Sequence, residues 1–262
     1  MTWWALFLLG WGLAAGLQLA LWLWQRRTGK ATAVDAGWGA SLVGIALLYA
    51  ALGGGGGVHR VLVAVLVTLE LGRVTVLVAR RVGGEEDGRY QELRARWRAR
   101  GREQLSFFVF FQAQALLAVI LSVPWLAAAF NDADGLEALE WVGAAVWLAG
   151  FALGWISDAQ LARFRGDPAN RGKTARVGLW RYSRHPNYFG QWLTWLGYGL
   201  IALAAPWGWI GLLAPALMLY LILFVTGIPP TEEQALKSRG EDYRRYQRET
   251  SPFVPWFPKE AS

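Results

Sequence analysis

Residues 178–190, GLWRYSRHPNYFG, bring Arg181, Arg184, His185, Asn187 and Tyr188 together at the mouth of an apolar stretch running from about residue 191 to 204. Charged groups are expensive to desolvate at a membrane boundary, so a dense cluster there calls for an anionic or polar partner. Pro186 interrupts the backbone inside the cluster and frees amides and carbonyls for a ligand. A single arginine in such a place reads as a flank that fixes topology. Arg-His-Pro-Asn-Tyr followed by Gly reads as a site.

Two further segments carry complementary chemistry. Ser157, Asp158, Gln160, Arg163, Phe164, Arg165, Asn170 and Lys173 follow one apolar stretch. There Arg165 and Lys173 can pair phosphates, Phe164 can stack on a base, and Asp158 can bond a ribose or an amide, or pair with an arginine. The chain ends in a polar tail with Glu232, Tyr243, Tyr246 and the run Thr250-Ser251-Pro252-Phe253. Pro229-Pro230 is expected to bend that tail back under the preceding helices. The same tail reads equally as an amphipathic helix on the membrane surface, since its basic residues suit anionic lipid.

The elements that position these residues are membrane helices. Of the 262 residues 55% are hydrophobic and 17 are Trp; only 17% are charged, and the mean hydropathy is +0.26. A soluble domain carries more charge and less Trp. With no Cys, disulfides, thiolate metal sites and cysteine nucleophiles are excluded, and two His argue against a zinc site. Apolar runs fall at about 3–24, 37–52, 58–79, 105–123, 141–156, 188–204 and 210–226. The first lacks a basic n-region and is followed by Arg26, Arg27 and Lys30, so it reads as a span with its C-terminal end in the cytoplasm rather than a cleavable signal. Seven alternating spans then place 24 of the 26 Lys and Arg on the cytoplasmic side, leaving Arg60 and Arg73 as exceptions. The expected fold is all-α integral membrane, with seven transmembrane helices, the N-terminus outside and the C-terminus cytoplasmic. Basic charge distributed by topology is no nucleic-acid signal. The five glycines at 53–57 lack a Walker lysine and are expected to form a flexible outer turn.

SDAQLARFR, NRGK, GLWRYSRHPNYFG, TGIPPTEE and GEDYRRYQRETSPFVPWFP resemble the steroid 5-alpha-reductase superfamily, most of all its bacterial integral-membrane branch. Asp35 with Trp38, Glu70-Leu-Gly-Arg73, residues 86–90 and FFVFFQAQ at 107–114 extend the likeness over nearly the whole chain. The resemblance implies a multi-pass reductase of a bacterial inner membrane that uses NADPH to saturate an activated C=C bond of a lipid, typically a 3-oxo-4-ene steroid. Residues 1–140 would then mainly build the substrate cavity, and 141–262 the NADPH-binding half with its tail. By similarity, Asp158, Arg165, Asn170, Lys173, Arg184, His185, Asn187, Tyr188, Glu232, Tyr243 and Tyr246 would hold the cofactor. Gln191 stands where the family usually has an acid, and its amide can still bond a carboxamide. Ser41-Leu42 stand where steroid reductases carry a Gln-Glu pair.

Reduction of an enone needs hydride at the β-carbon and a donor to the carbonyl oxygen, where enolate charge develops. Glu70 aligns with the ketone-binding Tyr of steroid reductases. As a protonated acid in an apolar cavity it could donate that hydrogen bond. Arg73, three residues on, could instead neutralise it. Tyr90 is a second catalytic candidate, and Trp38, Gln112 and Gln114 are candidates for the cavity wall. No metal is implied. The rival class is a methyltransferase of the isoprenylcysteine carboxyl methyltransferase type, which shares an Arg-His-Pro-x-Tyr-x-Gly motif but binds S-adenosylmethionine. Arg165 and Lys173 favour a cofactor with phosphates. A non-catalytic lipid-binding protein would need neither those cations nor polar residues at midplane.

Overall fold

Apolar runs punctuated by glycine and arginine fold as helices throughout the computed structural model, which describes residues 1–80, 82 and 84–259. In chain order they are α1 (Trp3–Thr28), α2 (Ala33–Leu52), α3 (Gly57–Val67), a π-helical turn (Thr68–Gly72) leading into α4 (Arg73–Ala79), α5 (Gly88–Ala99), α6 (Glu103–Leu121), α7 (Val123–Ala128), α8 (Ala138–Gly166), α9 (Pro186–Ala202), α10 (Leu213–Tyr220) with a second π turn (Leu221–Val225), and α11 (Ile228–Glu249). Among the described residues extended pairing is confined to one bridge, Ser183 with Ser251.

Six helical segments are long and apolar enough to cross a membrane: Trp3–Thr28, Ala33–Leu52, Gly57–Ala79, Glu103–Leu121, Ala138–Gly166 and the run Gly208–Glu249. The span expected at 188–204 falls on α9. Its 17 residues reach about 26 Å at 1.5 Å per residue, short of the ~30 Å hydrocarbon layer. Length and composition therefore support six crossings in an all-helical multi-pass membrane protein, where seven were expected. The third expected span, drawn as one regular helix, is instead interrupted by the π turn at Thr68–Gly72.

The described residues form two compact units, one of 1–137 with 202–211 and the other of 138–201 with the residues from 212 onward. In the first, α1 buries Leu6, Gly10, Ala14, Gln18 and Gln25, a single stripe at helical spacing. Gly29 closes α1 at φ 72° and returns its N–H to Gln25 O at 2.8 Å, so that α2 can run back along α1. Tyr49 of α2 bonds Ser122 at 3.1 Å. The glycines at 53–57 are not a loose turn. Gly55 and Gly56 donate to Ala129 O (2.9 Å) and Asn131 O (2.7 Å), and a Cβ on Gly53 would stand 2.6 Å from Ala129 O. These glycines admit a close backbone approach.

In the second unit α8 has 29 residues, about 44 Å, so its last turns extend beyond a ~30 Å layer. It packs on α9 through paired glycines. A Cβ on Gly143 would stand 2.7 Å from Gly197 O, and one on Gly150 2.6 Å from Gly190 O. Removing side chains lets the two backbones touch, the contact on which helix association in lipid depends. Seven-residue spacing on both helices, 143 to 150 and 190 to 197, keeps the glycines on facing stripes. A Cβ on Gly154, by contrast, meets only Asn187 O, at 4.0 Å. Gly150→Ala should therefore destabilise the detergent-solubilised protein by about 1–3 kcal/mol through overpacking. Gly154→Ala should be neutral or slightly stabilising, and equal thermal unfolding of the two variants would refute this account.

Candidate functional site

The tail turns back at Gly227 (φ −94°, ψ −94°), one residue ahead of α11. Pro229 and Pro230 occupy the first turn of that helix, where a missing N–H costs little, so the prolines start the helix and Gly227 makes the bend. Ten of the 22 residues of α11 are charged, which puts it outside the apolar span before it. After α11 the chain lies along residues 182–184. Arg184 N donates to Ser251 O (2.8 Å), Ser183 Oγ to Phe253 O (2.7 Å) and Trp256 N to Tyr182 O (2.9 Å).

Arg184 is the centre of this arrangement. It is buried, and its Nε donates to Glu232 Oε1 at 2.6 Å while Nη1 donates to Gln247 O (3.0 Å) and Thr250 O (2.7 Å). Glu232 also accepts from His185 Nε2 (3.2 Å), Gln247 Nε2 (2.7 Å) and Tyr243 Oη (3.4 Å). A carboxylate only accepts, so the His185 proton sits on Nε2. Burial opposes the charge on Glu232, but the bonds from His185 and Arg184, the Arg184 charge and the Gln247 bond outweigh it and hold the carboxyl at about 2. Burial and the facing Glu232 charge push the Tyr243 phenol up. Tyr246 donates to the carbonyls of Trp180 and Ser183. The His185 ring stacks on Tyr188 at 5.2 Å, and the Tyr188 hydroxyl meets Thr231 Oγ1 at 2.9 Å.

Beside this core the end of α8 presents a second group. Asn187 Nδ2 donates to Asp158 Oδ1 at 3.3 Å. Gln160 Oε1 accepts from Leu179 N (2.8 Å) and Trp180 Nε1 donates to Ser157 O (2.8 Å), which binds the motif loop to α8. Asn170 Nδ2 donates to Phe164 O at 3.1 Å and closes the end of the helix. Arg165 and Lys173 are exposed and make no ion pair among the described residues. Gln191 lies half-buried in the first turns of α9.

The expected cofactor residues thus fall into two sets. Arg184, His185, Glu232, Tyr243 and Tyr246 bond one another and the backbone, and they form a clamp on the tail. Asp158, Arg165, Lys173, Asn187 and Tyr188 are exposed or half-buried around it. Gln247, Trp180 and the Asp242–Arg176 pair (3.1 Å) escape sequence reasoning. Glu232 and Gln247 lie 15 residues apart, and the break at Gly240 inside α11 hides their meeting. That glycine within a charged helix was the available signal.

In the first unit Glu70 is buried in the π turn and Arg73 opens α4. Tyr90 is buried and donates to Asp35 Oδ1 at 2.6 Å; burial and the Asp35 charge push its phenol up. Arg89 pairs with Asp35 at 3.1 Å. Trp38 is half-buried with its indole N–H buried and without a hydrogen-bond partner. Gln112 donates to Ala15 O at 3.4 Å, and Gln114 is half-buried. No group of three or more His, Cys, Asp or Glu among the described residues could hold a metal ion.

Glu232 makes the clamp sensitive to acid. Its carboxyl falls from an ordinary 4.5 to about 2 in the folded protein, so the stabilisation is complete above about pH 4.5 and is lost as pH drops toward 2. Glu232→Gln leaves Arg184 buried beside a neutral group and should cost about 3–5 kcal/mol at neutral pH. It should also flatten the difference in unfolding temperature between pH 5 and pH 3 relative to wild type. An unchanged acid slope in the variant would show that other carboxyls carry it.

Residues 21–250 match a family described as protein of unknown function, DUF1295. The chain is similar to 3-oxo-5-alpha-steroid 4-dehydrogenase 1 of Macaca fascicularis, with 30% identity over 114 residues, covering 43% of this chain and 40% of that one. It is similar to the Bos taurus protein of the same name, with 30% identity over 112 residues, 43% and 41% of the two chains. Steroid 5-alpha-reductase DET2 of Solanum lycopersicum is 26% identical over 142 residues, 53% and 52% of the two chains. The chain spans between 40% and 52% of the length of these relatives. No solved structure matches it. A match over most of the chain, together with these relatives, shows that it belongs to the DUF1295 family, within the steroid 5-alpha-reductase superfamily.

Proposed function

We propose that this protein is an NADPH-dependent membrane reductase that saturates the activated C=C bond of a lipid enone, with a 3-oxo-4-ene steroid or related sterol-like lipid as the leading substrate class. The observation that carries the reading is the Asp158–Asn187 pair at 3.3 Å, with exposed Arg165 seven residues further along α8 and exposed Lys173 in the segment after that helix. Exposed cations without carboxylate partners among the described residues, together with hydrogen-bonding amide and carboxylate groups, suit a ligand with both phosphates and a carboxamide. When bound, NADPH supplies the hydride. Arg165 and Lys173 hold phosphate, while Asp158 and Asn187 orient the ribose or carboxamide by hydrogen bonds. Arg184, His185, Glu232, Tyr243 and Tyr246 position the tail. The curated relatives are named 3-oxo-5-alpha-steroid 4-dehydrogenase 1 and steroid 5-alpha-reductase, names of enzymes that act on the C=C bond of a 3-oxo steroid. The methyltransferase alternative draws no support from them.

Glu70 is the proposed donor to the enone oxygen. Its support is a buried carboxyl group in a π turn within an apolar run, an irregularity frequent at functional sites. As charge develops on the carbonyl oxygen, a donor fixed in an apolar setting stabilises it without reorganising.

The proposed topology is seven spans with the N-terminus outside and the C-terminus cytoplasmic, α9 being the short sixth. Gly57 and Gly166 each leave open space for a Cβ, and the chain has no native Cys. Single cysteines at these two positions should label from opposite sides of sealed vesicles; same-side labelling would discard the seven-span order.

Titration of the solubilised protein should show saturable binding of NADPH and none of S-adenosylmethionine; the reverse would move the chain to the methyltransferase class. Across a panel of enones that includes a 3-oxo-4-ene steroid, a product heavier by two hydrogens marks turnover. Glu70→Gln keeps a donor and should retain more turnover than Glu70→Ala, with dinucleotide affinity unchanged in both. Wild-type turnover in both variants would reduce Glu70 to a structural residue.

A further inference from the structure

Arg239 lies outside every role described so far. It ends the first segment of α11, directly before Gly240, whose φ of 54° and ψ of −124° break the helix. That backbone conformation belongs to glycine, so this residue sets where the helix stops and where Arg239 is presented. The guanidinium lies 4.9 Å over the ring of Tyr243, and its Nε is buried without a hydrogen-bond partner. Tyr243 is itself buried and bonded to Glu232, so the cation rests on a fixed platform.

Arg239 makes no ion pair among the described residues. Asp242, the carboxylate whose charge bears on it, is already held by Arg176 (3.1 Å) and Thr174 N (2.9 Å). Burial, and the like charge of Arg165 from the end of α8, both disfavour its protonated form, although Tyr243 and Asp242 favour it. Neither guanidinium is ion-paired with a carboxylate among the described residues, and the charge of each bears on the other. A dianion between them would remove the repulsion, satisfy the buried Nε–H and use the planar donor fork of arginine.

We propose that Arg239 and Arg165 together seat a phosphomonoester, the 2′-phosphate that separates NADPH from NADH. The assignment rests on the reductase reading above and names the residues that would give it its cofactor preference. Arg239 would act by direct contact with the phosphate, from a rigid aromatic base, rather than through the Arg184–Glu232 clamp.

The test compares binding of NADPH, NADH, 2′,5′-ADP and 5′-AMP by calorimetry in wild type, Arg239→Met and Arg165→Met. Methionine keeps an apolar stem on Tyr243 and removes the charge, and Arg165 is exposed, so its variant reports even if the first folds poorly. Each variant should weaken NADPH and 2′,5′-ADP by about tenfold or more, the loss of one charged hydrogen bond, and leave NADH and 5′-AMP unchanged. Equal weakening of NADPH and NADH would place the arginines on the pyrophosphate and overturn the inference. So would unchanged NADPH binding, including the case in which Arg239→Met loses only co-purified phosphatidic acid, which would make the pair a lipid-headgroup site. Wild type that binds neither dinucleotide would sink the reductase reading itself.

Discussion

A guanidinium taken out of water must be matched by a carboxylate and by acceptors for its remaining N–H groups, and the second unit is built around that demand at Arg184. Glu232 supplies the charge and the carbonyls of Gln247 and Thr250 supply the acceptors. Each partner comes from a different stretch of chain, so one side chain ties the motif loop to both ends of α11 and to the tail beyond it. The same carboxylate gathers His185, Gln247 and Tyr243. A half-satisfied network of this kind would be worse than an apolar core, which explains why its members leave little donor capacity unused.

Saturation of the clamp bears on the proposed function. Under the proposed function, groups already bonded to one another at 2.6–3.4 Å hold the shape of the tail, and the ligand is assigned to groups outside the clamp. The proposal assigns it to Asp158 and Arg165 on the last turns of α8, Lys173 in the segment that follows, and Asn187 and Tyr188 at the start of α9. Their mutual placement follows from the glycine contacts between Gly143 and Gly197 and between Gly150 and Gly190, which remove any side-chain spacer between the two helices. Backbone contact sets where Asn187 meets Asp158.

The first unit follows the same electrostatic logic in a different place. Arg94 is held by Glu86 (2.7 Å) and Glu103 (2.6 Å) while its guanidinium lies 4.7 Å over Phe107, and Tyr90 and Arg89 share Asp35. The arginines of this segment, which in the sequence read only as a mark of the cytoplasmic side, also bind α5 to α2 and α6. An aromatic cluster of Tyr90, Phe107, Phe110, Phe111 and Trp97 fills the space beneath them.

Composition and apolar run length were enough to read a multi-pass helical protein, because hydrocarbon admits little else. The motif at 178–190, with those before and after it, was enough to read the superfamily, and the partners that its Arg184 and His185 need are supplied by the tail. The π turn at Glu70, the break at Gly227 ahead of the prolines and the close approach made by the glycines at 53–57 were not legible; the last is imposed by Ala129 and Asn131, distant in sequence. Nor was the division between clamp and exposed groups. Arg184 and Arg165 are the same residue type in similar basic segments, and only the tertiary structure gives one a half-buried carboxylate and leaves the other without an ion pair among the described residues. Residue type and spacing determine what chemistry is available; the partners that saturate a charge, which only folding brings together, decide which residues remain open to a ligand.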